Sequence, residues 1–136
     1  MTRTAARANI ETLIAWLDAM RRKDLDAAVA FFAPDVVWEG LVPGVECANR
    51  ADVREMLSES IQDDIDVEHL EVLGGSEGAV LGVRSAELDE LAGVKLNGQL
   101  FNVFTIRGDR IVHVRDFAMR TQAQEAAGLD DLPGWG

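Results

Sequence analysis

The chain has 136 residues, of which 48% are hydrophobic, and its 13 basic and 24 acidic side chains give a formal net charge of −11. This length and composition suit one globular domain over residues 1–136 and are unlike those of a disordered chain. The negative charge argues against a nucleic-acid backbone or an anionic membrane surface as the main partner, because both would be repelled.

Cys47 is the only cysteine, so no disulfide can form within the chain, which fits a reducing compartment. No segment approaches the ~20 apolar residues of a membrane helix, and the N-terminal stretch has no uninterrupted apolar core. We therefore expect a cytoplasmic protein. A glycine-rich phosphate loop, a nucleophile elbow and a cysteine–histidine cluster are all absent from the sequence. No cofactor and no metal are predicted.

The first half of the chain predicts three helices and one strand. Residues 9–22 place apolar side chains at helical spacing, with Asn9 as a possible N-cap. Asp24 is predicted to cap a second helix, "LDAAVAFFA", which stops before Pro34. "DVVWEG" is β-branched and aromatic and predicts a strand. Pro43-Gly44 then indicates a loop, and Asn49 is predicted to cap the helix "RADVREMLSESIQ".

The second half predicts consecutive strands. "IDVEHLEVL", "AVLGVRSAELDEL", "LFNVFTI" and "RIVHVRDFAM" read as strands, and Gly108-Asp109 predicts a tight turn before the last of them. A helical turn or two is expected in the tail. Because helices precede strands and do not alternate with them, the order predicts an α+β fold, with three N-terminal helices packed on a curved antiparallel sheet.

Two stretches resemble the NTF2-like superfamily: "LIAWLDAMRRKDLDAAVAFFAPDVVWEG" and "FNVFTIRGDRIVHVRDF". Within that superfamily the sequence is similar to the SnoaL-like polyketide cyclases, the limonene-epoxide-hydrolase type and the ketosteroid isomerases. The resemblance covers about residues 9–127 and leaves 128–136 as an acidic tail. It implies a cone with a deep, mostly apolar pocket, and a homodimer whose apolar outer-face candidates are Phe101, Val103 and Phe117.

Side chains alternate between the faces of a strand, so the resemblance also implies which residues line that pocket. If Asp116 points inward, so do Val112, Val114 and Ala118, while Ile111, His113, Arg115 and Phe117 point outward. The inward sets expected on the other strands are Leu100, Asn102 and Phe104; Val80, Gly82, Arg84, Ala86 and Leu88; and Val36, Trp38 and Gly40. The predicted ligand-binding residues are Trp16, Trp38, Val80, Leu88, Leu100, Phe104, Val114 and Ala118.

The family's catalytic positions are only partly present. Gly40 stands where the ketosteroid isomerases place their base, although a slip of one residue would bring Glu39 there. The epoxide hydrolases use an Arg-x-Asp motif, of which Arg84 remains here, while Ala86 stands in place of the aspartate. Trp38 and Gly40 stand where those enzymes have the two residues that position the attacking water. Asp116 matches the last-strand aspartate of the SnoaL-like cyclases, which makes the cyclase or isomerase comparison the least contradicted.

These residues predict a cofactor-independent acid/base enzyme acting on a small hydrophobic molecule. Asp116 would shuttle the proton, with Arg84 and Asn102 to orient it or hold an oxyanion. The alternatives are a structural Asp116–Arg84 pair, an exposed strand end, and a protein that binds a hydrophobic ligand without chemistry. The sequence leaves the facing of Glu68 open. His69, His113 and Cys47 are each isolated and are not expected to take part in catalysis.

Overall fold

The computed structural model describes residues 5–42, 44, 46–62, 69–91 and 93–128. The helices of these residues are α1 (Ala5–Arg21), α2 (Leu25–Ala30), α3 (Arg50–Ser60) and α4 (Arg120–Ala127). The strands are β1 (Phe32–Glu39), β2 (Glu46–Cys47), β3 (His69–Gly74), β4 (Gly78–Arg84), β5 (Glu90–Leu91), β6 (Val94–Lys95), β7 (Gln99–Arg107) and β8 (Arg110–Phe117). The predictions on Pro43, on Glu68 and on the tail beyond Gly128 lie outside the described residues.

The helix caps follow the sequence signals at two of three positions. Asp24 and Asn49 accept hydrogen bonds from the third residue after each of them, at 3.2 and 2.9 Å, and so confirm two predicted N-caps. Asn9 is no cap, because α1 already includes Ala5 and Asn9 lies inside it. Its buried amide instead donates a 2.9 Å hydrogen bond to the carbonyl of Gly75, which ties α1 to the turn after β3. A mid-helix asparagine with a distant acceptor cannot be told from a cap by sequence alone.

The second helix is shorter than predicted, because Phe32 and Ala33 belong to β1 and not to α2. Pro34 disfavours helical backbone in the residue before it, and the chain has already turned into a strand when it reaches the proline. Phe32 consequently starts a strand whose side chains fill the core, where it is completely buried.

Six strands form one sheet in the order β2-β1-β8-β7-β4-β3, and β5 with β6 form a separate hairpin. The α+β class is confirmed. The sheet is antiparallel, as predicted, except at one place, where β1 and β8 run parallel. Their connection carries α3 and most of the other strands, so no tight hairpin dictates an antiparallel direction. The predicted Gly108-Asp109 turn is present, and both residues have positive φ (54° and 64°).

Helices cover both faces of the sheet. The inner face packs against α1, α2 and α3, and there Trp16, Phe32, Trp38 and Phe104 form an aromatic cluster with ring centroids 5.4–6.1 Å apart. The fourth helix lies on the outer face, where Ala123 is fully buried. It covers the three apolar residues that were expected to be available for a partner subunit: Phe101, Val103 and Phe117. The homodimer stays a prediction, but those side chains are buried within this chain.

The predicted strand faces hold for β1, β7 and most of β8. Asn102 lies directly opposite Asp116, and Phe104 lies opposite Val114, so each pair shares one face. Val36, Trp38 and Val114 are all in the inner core. Ile111 was expected outside but is also in that core, because the register between β7 and β8 shifts by one residue near Val112. Such a β-bulge reverses the alternation on one side of it.

The predicted faces of β4 were wrong. Leu81 pairs with Asn102, so Ala79, Leu81 and Val83 face inward, while Val80, Gly82 and Arg84 face outward. The stretch "GAVLGV" is apolar throughout, so alternation carries no signal for which face is the inner one. The strand also ends at Arg84, which leaves Ala86 and Leu88 in the following turn and not on the sheet.

Candidate functional site

Asp116 lies next to the end of β8, and three strands build its environment. Its Oδ1 accepts a hydrogen bond of 2.6 Å from Nδ2 of Asn102 on β7 and one of 3.0 Å from Nε1 of Trp38 on β1. Because β8 lies between β7 and β1, the two donors approach from opposite sides. Within the described residues, Oδ2 accepts no hydrogen bond. One carboxylate oxygen is thus held by two donors, and the other has no hydrogen-bond donor within the described residues.

Burial dominates the ionisation of this carboxyl group. Loss of solvent raises the pKa of Asp116, and the hydrogen bonds from Asn102 and Trp38 lower it by less, so that the pKa moves from 3.8 to about 6. A carboxylic acid with such a pKa changes protonation state close to neutral pH. It can therefore accept a proton and return it within one reaction cycle.

An open depression of about 880 Å³ adjoins Asp116 at this end of the sheet. Its size is in the range of small-molecule sites. Its walls come from the end of β1, from the segment around β6, from the start of β7 and from α4. The lining residues are Gly40, Leu41, Val94, Lys95, Asn97, Gln99, Arg115, Phe117, Ala118, Met119, Gln122, Glu125 and Ala126. Many of them are polar, in contrast to the mostly apolar wall that was predicted.

The structure brings only part of the predicted ligand wall to this depression. Trp38 and Ala118 lie at it or beside Asp116, and half-buried Leu100 shares the inner face with Asn102. By contrast, Trp16, Phe104 and Val114 are packed in the aromatic core. Val80 is buried beneath α4, and Leu88 follows the end of β4. The deep part of the predicted cone is filled by protein side chains.

Arg84 does not join Asp116, because it is exposed on the outer face of β4. A structural Asp116–Arg84 ion pair is excluded by the same placement. Of the three predicted catalytic side chains, Asp116 and Asn102 meet and Arg84 does not. The amide of Asn102 thus occupies the orienting position.

The hydrogen bond from Trp38 is the contact at the candidate site that the sequence did not predict. Trp38 was expected to line the ligand pocket, but its indole N–H donates a hydrogen bond to the carboxylate. A signal was available, since a buried indole N–H usually has an acceptor, and Trp38 and Asp116 were placed on the same face.

Cys47 lies opposite Trp38 in the β1–β2 ladder, with its sulfur 4.0 Å from that of Met56. Burial raises the pKa of the Cys47 thiol, and the charges of Asp52, Asp116 and Glu55 raise it further. The thiol is therefore protonated at neutral pH and is a poor nucleophile.

His113 and Glu39 lie on the outer face, where they pair with each other and not with Asp116. His113 Nε2 lies 2.6 Å from Oε2 of Glu39, and both side chains are partly exposed. Glu39 consequently points away from the inner face, and Gly40, directly after β1, lines the depression.

No three His, Cys, Asp or Glu side chains in the described part of the chain are grouped closely enough to hold a metal ion. Of the helices described, none has the length and apolar character needed to cross a membrane.

Helices pack on the inner face of this sheet, and the Asp116 carboxylate lies at the end of the sheet that adjoins the depression. This arrangement is that of an NTF2-like α+β domain. The chain belongs to the SnoaL-like domain family, whose model matches residues 13–114. No curated protein matches the chain.

Solved structures support the same fold. A proposed polyketide cyclase from Xanthomonas campestris pv. campestris is 22% identical, with 91% of this chain and 98% of that chain covered and a TM-score of 0.61. One from Pseudomonas putida KT2440 is 17% identical, with 93% and 99% covered and a TM-score of 0.60. An NTF2-like protein of unknown function from Mesorhizobium loti is 18% identical, with 86% and 95% covered and a TM-score of 0.62. At these identities the likeness concerns the fold alone.

Proposed function

We propose that this protein is a cofactor-independent acid/base enzyme of the SnoaL-like type, with Asp116 as its proton shuttle. The observation that carries the proposal is the asymmetric carboxylate: Asn102 and Trp38 both bind Oδ1, and Oδ2 accepts no hydrogen bond in the described structure. Two similar proteins are proposed polyketide cyclases, which agrees with this reaction class.

The two donors give the carboxylate a fixed plane. In the ionised state, Oδ2 would take a proton from a carbon next to a substrate carbonyl and return it at another atom. The reaction then needs no change of oxidation state. Asn102 and Trp38 favour the ionised form without reaching Oδ2, so their hydrogen bonds persist through the transfer. One positioned acid/base contributes on the order of 10²–10⁴ in rate.

Epoxide hydrolysis fits the geometry less well than isomerisation or cyclisation. That reaction needs several groups around one water, and Arg84 and Ala86 lie away from Asp116. A binding protein without chemistry is the second candidate, and the absence of Arg84 from the site favours it. Recovery of a co-purified ligand in unaltered form, together with no turnover, would support that candidate.

Proton exchange provides a test that does not need the natural substrate. Cyclohexanone and 2-tetralone in D₂O exchange their α-protons, and NMR follows the rate. We expect Asp116→Asn to lower the protein-catalysed rate about 100-fold or more. Asp35→Asn is the matched control, because Asp35 is exposed and has no hydrogen bond or ion pair within the described residues. Equal rates in the wild type and Asp116→Asn would contradict the proposed role.

The pH profile adds a second criterion. A base must be ionised, so the rate should rise with pH through about 6, the pKa that burial gives Asp116. If Asp116 instead acted as the initial acid, the rate would fall through the same pH.

A further inference from the structure

Two cationic side chains at the depression form no ion pair with the acidic side chains that the structure describes. Lys95 on β6 and Arg115 on β8 both line it, and neither forms an ion pair with an acidic side chain of the described residues. Acidic residues outnumber basic ones by 24 to 13 in this chain, so acceptors are plentiful. The nearest ladder neighbours are not used: Glu90 faces Lys95, and Glu39, which faces Arg115, binds His113 instead.

Arg115 is held in place by an apolar contact. Its guanidinium carbon lies 5.0 Å from the ring centroid of Phe117, which also lines the depression. Stacking on a ring fixes the guanidinium plane and leaves its N–H donors free for an anion.

The depression also offers an apolar surface. Met119 is 55% exposed at the start of α4, although large apolar side chains are normally covered, and it lines the depression with Val94. Its helix is firmly attached, since Arg120 forms a 2.7 Å ion pair with Glu71 in which both side chains are less than 20% exposed. Ala123 buries the middle of α4 against the sheet. The methionine is therefore an exposed contact on a fixed support.

We propose that the depression binds a small amphiphilic acid, whose anionic group pairs with Lys95 and Arg115 while its apolar part lies against Met119 and Val94. This proposal rests on the proposed function in placing the substrate beside Asp116, and it adds the chemical class of that substrate. Glu125 lies on the same wall and would repel the anion from the α4 side, which orients the molecule.

Two probes of equal shape test the proposal. 2-Naphthoate carries a carboxylate, and 2-naphthamide replaces it with a neutral amide. Titration of the protein with each, followed by ¹H–¹⁵N NMR, should show naphthoate binding about tenfold more tightly, with the difference shrinking at high salt. Lys95→Gln and Arg115→Gln should each weaken naphthoate about three- to tenfold and leave naphthamide unchanged. Met119→Gln should weaken both probes.

Arg107→Gln is the charge-matched control, because Arg107 is exposed at the other end of β7 and does not line the depression. Equal affinity for the two probes would overturn the proposal, as would an equal loss in Arg107→Gln. Asp116→Asn separates this proposal from the proposed function. That variant should bind naphthoate at least as tightly as the wild type while losing proton exchange. If exchange persists in it and the Lys95 and Arg115 effects hold, only the acid/base role fails.

Discussion

Replacing Asp116 by asparagine is expected to stabilise the folded protein at neutral and alkaline pH while it removes the proposed chemistry. Asparagine keeps an oxygen that can accept from Asn102 and Trp38, and it has nearly the same shape. It carries no charge that must be desolvated. The substitution therefore separates the energy of burying a charge from that of the hydrogen bonds.

The sign and the magnitude follow from the pKa. Burial raises the pKa of Asp116 from 3.8 to about 6, so between these values the folded chain binds a proton that the unfolded chain has lost. Stability consequently falls as pH rises through this window, and the penalty persists above it. A shift of roughly two units at ~1.4 kcal/mol per unit corresponds to about 3 kcal/mol, which is an upper figure because the carboxylate can relax toward solvent.

Urea unfolding at pH 4 and pH 8 measures this difference. The free energy of unfolding of Asp116→Asn should be close to that of the wild type at pH 4 and up to about 3 kcal/mol larger at pH 8, or about 10 °C in Tm. Asp35→Asn should show no such change between the two pH values. An Asp116→Asn variant that is less stable than the wild type at pH 8 would refute the argument that desolvation outweighs the two hydrogen bonds.

Two further predictions concern the partners of Asp116 and the attachment of α4. Trp38→Phe and Asn102→Leu each remove a hydrogen-bond donor that favours the ionised form of Asp116. The midpoint of the pH–rate profile for ketone exchange should therefore move above about 6 in each variant. An unmoved midpoint would show that the donor has no influence on the pKa of Asp116. Glu71→Gln and Arg120→Met should each lower the free energy of unfolding by up to about 3 kcal/mol, because each removes one partner of an ion pair whose side chains are less than 20% exposed. The double variant should cost less than the sum, and strict additivity would contradict a coupled pair.

The parts of the fold that were predictable rest on local chemistry. Asp24 and Asn49 were predictable as caps because each is a short polar side chain directly before an amphipathic run, where its oxygen accepts a backbone N–H of the first helical turn. The inner faces of β7 and β8 were predictable because Asn102 and Asp116 stand out among apolar neighbours. The bulge near Val112 was not, since one extra residue in a ladder leaves no mark on alternation.

The missed part of the site depends on long-range placement. Arg84 is three residues from Leu81, so the two side chains point to opposite faces of β4. Which of these faces is the inner one depends on which of two apolar sets of side chains meets the helices. The outer face of a sheet is polar when it meets solvent, but here α4 covers it, so both sets are apolar. The same helix supplies Met119 to the depression, and the sequence of the tail alone shows neither contact.

The identity of residue 116 supports the proposed chemistry. A structural acceptor for Trp38 and Asn102 needs only an oxygen, and asparagine would provide one without the cost of a buried charge. With its raised pKa, aspartate at this position is expected to lower stability at neutral pH by up to about 3 kcal/mol, a large part of the roughly 5–15 kcal/mol that holds a typical domain folded. In return for this loss of stability, the protein has a carboxyl group that titrates near neutral pH. Proton transfer is a function that requires such a group.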